Sequence, residues 1–143
     1  MFKSILLPID LNADASWLKA LPTAATLCKA FGAKLHVMNV VPAFGSGVVA
    51  NYFPQDFEEK TLQAAEKHLE EFGEQHIKPL GIEYEVHLAH GSIYREVLKA
   101  DEKLDCDLIV MASHRPEITD YLLGPNAERV VRHASCSVMV VRN

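Results

Sequence analysis

The chain has 143 residues and a formal charge of -5, with 49% hydrophobic and 23% charged residues, the make-up of one ordinary globular domain able to bury a core. No basic stripe is present to neutralise a phosphodiester backbone, which excludes a nucleic-acid groove reader. No apolar run reaches membrane-spanning length or makes a signal peptide, so a cytoplasmic protein that inserts into no membrane is expected.

Residues 4–10 form an apolar run closed by Asp10, the pattern of a strand buried on both faces of a parallel sheet. Pro8 predicts that pairing stops there and a crevice opens. Asp10 then sits at the carboxyl end of a central strand, where open α/β sheets bind ligands; its simpler role is a turn or helix-capping residue. Residues 16–31 repeat apolar side chains at helical spacing and Gly32 is placed to end the helix. Pro22 lies inside this pattern and predicts a kink or a restart. A second strand over Lys34–Val41 is stopped by Pro42. The connection over residues 42–54 is longer than compact domains normally use, and suits a lid, an interface element or plain surface variation.

Residues 57–77 read as a long amphipathic helix broken by Pro79 and Gly81. Residues 82–88 alternate as an edge strand with one wetter face. Gly91 and Ser92 turn the chain into a helix over residues 92–103, with Ser92 as N-cap and Gly91 close to any ligand in the crevice. A strand at residues 108–112, a loop, a short amphipathic helix opened by Gly124, Pro125 and Asn126, and a strand over Ser137–Arg142 complete the chain. The alternation predicts an α/β fold: a doubly wound five-stranded parallel sheet, Rossmann-like, with helices on both faces and one domain over residues 1–143.

The last loop and helix favour an anion. A helix N-terminus offers unpaired N–H groups and the positive end of the macrodipole. Gly124 permits close backbone approach, Asn126 suits an N-cap, and Arg115 offers a planar fork to phosphate oxygens. An ordinary strand-to-helix connection with a solvated arginine would look the same. Cys28, Cys106 and Cys136 are widely spaced and read as buried and reduced. His87 and His90 would point to opposite faces of a strand, and no cysteine or carboxylate lies at ligand spacing in the sequence, so no metal site is expected. Receiver domains need an Asp at the end of the third strand, where this chain has Leu88, Ala89 and His90. Flavodoxin-like carriers need a hydroxyl-rich loop after the first strand, which residues 10–14 do not supply.

Residues 5–10, 35–40, the Gly91-Ser92 turn and above all residues 108–142 resemble the universal stress protein family. Residues 111–116, 121–124 and 130–138 are closest to its small single-domain, ATP-binding subgroup. The resemblance covers nearly the whole chain. It implies the adenine-nucleotide α-hydrolase-like form of the fold, with strand order 3-2-1-4-5. It also implies that Pro8, Ile9, Asp10 and Val40 hold adenine and ribose, with Gly91 nearby. The phosphate loop maps onto Met111, Ala112, Ser113, His114, Arg115, Gly124, Pro125, Asn126 and Ala127. Ala112 and Arg115 occupy two of the family's glycine positions, Gly124 is retained, and Pro125 replaces a hydroxyl residue. Arg115 and Asn126 can contact phosphate in place of what those changes remove.

The implied cofactors are ATP and Mg²⁺, the ion held mainly by the nucleotide's own phosphates. No Walker pattern and no paired carboxylates are present, so binding with at most weak ATP hydrolysis is expected, not an enzyme. The function implied is a nucleotide-dependent stress-response regulator. The alternative is a nucleotide-free dimeric interaction module acting on a partner such as a membrane transporter. Under either reading the apolar terminal strand Ser137–Arg142 invites a homodimer, or a higher oligomer, by edge pairing.

Overall fold

The computed structural model describes residues 1–42, 56–113 and 125–142. Strand β1 (Ser4–Ile9) leads through a short 3-10 turn at Asp14–Ser16 to α1 (Ala20–Phe31) and β2 (Lys34–Val41). Then come α2 (Phe57–Phe72), β3 (Tyr84–His90), α3 (Ile93–Leu104), β4 (Leu108–Ser113), α4 (Pro125–His133) and β5 (Ser137–Arg142). The five strands make one parallel sheet in the order β3-β2-β1-β4-β5, as expected.

The apolar runs become the middle of that sheet because both of their faces must be covered. Ile5, Leu6, Leu7, Leu35, Val37, Ile109 and Val110 have no measurable exposure, and helices pack over both sides. Right-handed crossovers put α1 and α2 over one face and α3 and α4 over the other. On the first face Trp17 meets the Phe72 ring edge-on at 5.0 Å. Val97 of α3 and Val130 of α4 close the second face. No helix among the described residues is long and apolar enough to cross a membrane.

Helix α1 begins at Ala20, not at residue 16. Pro22 therefore falls in the first turn, where its missing N–H has no helical partner to lose. Gly32 ends the helix in the left-handed region at φ 66°, its N–H donating to the Cys28 carbonyl. The long second helix stops being α-helical at Phe72; residues Gly73–Ile77 widen to a π-turn and Lys78–Leu80 tighten to 3-10. At Gly73 an added Cβ would stand 3.0 Å from the Tyr84 ring and 3.3 Å from Val86, so the helix end is fitted closely to β3. Strand β3 runs to His90, two residues further than expected, because β2 continues to Val41 and keeps pairing with it. Ser92 occupies the N-cap position of α3 in extended backbone, but its side chain makes no capping bond.

Pro8 does only half of what was expected. The β1–β4 ladder stops at Leu6–Ile109, while β1–β2 pairing runs on through Pro8–Met38 to Ile9–Asn39. Beyond Leu6, β1 is therefore paired on its β2 side only.

Ile109→Ala should lower unfolding free energy by about 2–5 kcal/mol in urea titrations, the cost of an unfilled core site. Leu18→Ala, at a residue 56% exposed, should stay within about 0.5 kcal/mol of wild type.

Candidate functional site

Past Ile9 the chain must turn out of the sheet, and a buried hydroxyl closes that turn. The Asp10 N–H donates to Ser16 Oγ at 2.8 Å, and the same hydroxyl donates to the Asp10 carbonyl at 3.0 Å. Ser16 has no solvent exposure. The Asp10 carboxylate accepts from the Asn12 N–H at 2.9 Å, and the Ala13 N–H reaches the Asp10 carbonyl at 3.0 Å. Asp10 is thus the turn residue of its simpler reading and also a carboxylate at the carboxyl end of the central strand.

Beside it lies a cleft of about 230 Å³. Its floor is Ile9, Asp10, Leu11 and Asn12 from the end of β1 and Asn39, Val40, Val41 and Pro42 from β2. Thr61, Ala65 and His68 of α2 and Ile93 of α3 form its walls. The lining is mostly apolar with a few polar groups, which suits a flat heteroaromatic ring.

Of the expected residues, Ile9, Asp10 and Val40 come together here, while Pro8 is buried one step back inside β1. Gly91 lies at the same end of the sheet, its N–H donating to the Val41 carbonyl at 2.9 Å. Its φ of 141° favours glycine, and a Cβ there would come within 3.1 Å of the Glu96 carboxylate. Met111 and Ala112 are 1% exposed and Ser113 8%, so the first two can offer a ligand only backbone. Pro125, Asn126 and Ala127 form the first turn of α4. The helix starts at Pro125, a position that proline suits; Asn126 is inside that turn and is not the N-cap. His114, Arg115, Gly124 and residues 43–54 of the long connection lie outside the described residues.

Asn39, Thr61 and His68 were not anticipated. Asn39 is a polar residue in an apolar strand and only 8% exposed, a pattern that marks a buried group with work to do. Thr61, Ala65 and His68 follow i, i+4, i+7 spacing on one side of α2.

The histidines pair in an unexpected way. His90 Nδ1 faces Glu58 Oε1 of α2 at 3.1 Å. His87 Nε2 instead meets His36 Nδ1 of β2 at 2.9 Å, with Glu85 Oε2 at 3.8 Å from His36 and 3.7 Å from His87. A carboxylate therefore does stand at ligand spacing, contrary to expectation. It lies two residues from His87 on the same strand face.

All three cysteines are free; Cys28 and Cys106 are buried, and Cys136 is only half-buried. Burial pushes the Cys28 thiol up to about 11 and, with the Asp101 carboxylate accepting at 3.1 Å, the Cys136 thiol up to about 12. Neither is a thiolate nucleophile at neutral pH.

The family model described as the universal stress protein family matches residues 1–142. Universal stress protein G of Salmonella typhimurium is 36% identical over 146 residues, covering 99% of this chain and 100% of that protein. Among solved structures, universal stress protein UspA from Lactobacillus plantarum superposes with a TM-score of 0.77 at 21% identity, over 98% of this chain and 97% of that one. A universal stress protein in complex with cAMP gives 0.63 at 20% identity, over 99% and 97%. An Arabidopsis thaliana family protein with AMP bound gives 0.67 at 17% identity, over 99% and 92%. At these identities the structural likeness speaks for the fold.

Ser16→Ala removes both hydroxyl bonds to Asp10. Unfolding free energy should fall by about 1–3 kcal/mol in urea titrations, since the Asp10 N–H loses its hydroxyl partner while the Asp10 carbonyl keeps the Ala13 N–H. Thr23→Ala, which loses only an exposed bond to the Lys19 carbonyl, should change it by no more than about 0.5 kcal/mol.

Proposed function

This chain belongs to the universal stress protein family, and from that premise we propose that it is an adenine-nucleotide-binding regulator of the stress response, with ATP as its ligand. The observation that carries the proposal is the cleft where Ile9, Asp10 and Val40 meet at the carboxyl ends of β1 and β2. Apolar walls take the base. The Asp10 carboxylate accepts from a ribose hydroxyl or from the exocyclic amine, and backbone at Val40 completes the recognition. The AMP and cAMP bound by fold relatives support an adenine-containing ligand.

The phosphates run toward the first turn of α4, where backbone N–H groups at Asn126 and Ala127 and the helix dipole favour an anion. Arg115 and Gly124 complete that end on the strength of the sequence resemblance. Mg²⁺ rides mainly on the phosphates. Among the described residues lining the cleft, Asp10 is the only carboxylate. No second acid among those lining residues stands beside it to hold a metal and activate water, which supports binding with little or no turnover.

A second reading, a nucleotide-free module working by contact with a protein such as a transporter, is favoured by one observation. Pro125 opens α4 and contributes no N–H to a phosphate. Both readings place the protein in the cytoplasm and have it dimerise through β5.

Calorimetry with ATP and Mg²⁺ should give saturable one-to-one binding. Asp10→Ala and Gly124→Val should each weaken it at least about tenfold, or about 1.4 kcal/mol. Wild-type protein that takes up no ATP at millimolar concentration would leave the contact module as the function. Light scattering should report a dimer that Met139→Lys on β5 converts to monomer with its circular dichroism unchanged; a dimer unaffected by the charge would put the interface elsewhere.

A further inference from the structure

We propose that His36, Glu85 and His87 form a zinc-class metal site at the β2–β3 edge of the sheet, separate from the nucleotide cleft. The parallel register pairs His36 with Glu85 and Met38 with His87, so all three donors leave the same face of the sheet. Among the described residues this is the one group of histidine, cysteine and acidic side chains whose ligand atoms gather closely enough to hold an ion.

The geometry fits a small divalent ion. The donor atoms make a triangle with sides of 2.9, 3.8 and 3.7 Å. A point about 2.0 Å from all three lies inside it, which is the distance zinc keeps from imidazole nitrogen and carboxylate oxygen. Two histidines, one carboxylate and a water make an ordinary four-coordinate set for zinc. Lys34 Nζ binds the other oxygen, Glu85 Oε1, at 2.6 Å, and a hydrogen-bonded outer partner of this kind orients a ligating carboxylate.

Burial is the main reason both imidazoles titrate below the ordinary histidine range. For His36 the charges of His87 and Lys34 add to it; for His87 the Glu85 carboxylate opposes it and Lys34 and Lys103 reinforce it. Neutral imidazole is the form that ligates a metal. Without metal, one ring donates the shared proton to the other. On binding, that proton moves to the far nitrogen of its own ring, and both facing nitrogens present lone pairs to the ion. The nearby ammonium groups of Lys34 and Lys103 oppose the ion's charge, and the Glu85 carboxylate must offset them.

The site stands apart from the cleft. His36 precedes Val40 by four residues on β2, a run of about 13 Å along a strand. Bound metal would tie the outermost strand β3 to β2 and leave Asp10 and its turn untouched.

The test uses chelator-stripped full-length protein, with Zn²⁺ titrated against a chromophoric competitor and Tm followed in parallel. Wild type should bind one equivalent that raises Tm. Glu85→Gln, at an exposed residue where folding is not at stake, and His87→Ala should each weaken that equivalent at least tenfold and abolish the rise in Tm. His133→Ala, at an exposed histidine of α4, should leave both readings unchanged. Absence of zinc binding by the wild type, or wild-type affinity in both site variants, would overturn the proposal; zinc held by the cysteines would give the second result.

Discussion

The end of the sheet that carries the cleft depends on how β1 is paired. It is the central strand, apolar on both faces, held to β2 along its whole length and to β4 at only two positions. A strand buried on both sides cannot leave backbone N–H and carbonyl groups unpaired without cost. Parting from β4 is therefore tolerable only near the carboxyl end, where the chain is about to leave the core. Pro8, with one fewer N–H to satisfy, lowers that cost at the place where separation occurs.

Ser16 then performs a task that no apolar residue could. The first residue beyond β1 still lies against the core, and its N–H and carbonyl have no strand to pair with in the ladder. A buried hydroxyl that accepts from one and donates to the other satisfies both at once. This lets Asp10 hold a fixed position at the rim while its carboxylate stays half-exposed. Position and chemistry are thereby separated: the backbone is fastened by Ser16, and the side chain is steadied on one oxygen by the Asn12 N–H.

The fold could be read in the sequence because its strongest signals are local. Unbroken apolar runs at residues 5–9 and 108–112 admit few alternatives to buried parallel strands, and Gly32 and Gly91 mark turns by backbone conformation alone. The cleft was half legible. Asp10 follows from being at a strand end and Ile9 and Val40 from the family resemblance, whereas Thr61 and His68 belong to it only because α2 crosses over β2. Periodicity says which side of a helix faces inward, but not which part of that side meets core and which meets a cavity. The His36–His87 pair was hidden for a related reason. The two histidines are neighbours only through strand register, and a search along the chain compares His87 with His90, which the pleat sends elsewhere.

The two edges of the sheet resolve the same physical problem in opposite ways. An edge strand exposes unpaired backbone to any other strand, and charge is the usual defence. At the β3 edge Lys34 is clamped between Glu85 at 2.6 Å and Glu83 at 3.8 Å. The chain just before that strand is thus charged and hydrated, and a second copy would have to strip those groups of water in order to pair. At the other edge Val138, Met139, Val140 and Val141 are half-buried in succession, and exposed polar residues appear only at the ends, Ser137 and Arg142. Nothing in β5 itself repels a partner strand. The charged defence against strand pairing is thus built in at β3 and absent from the middle of β5.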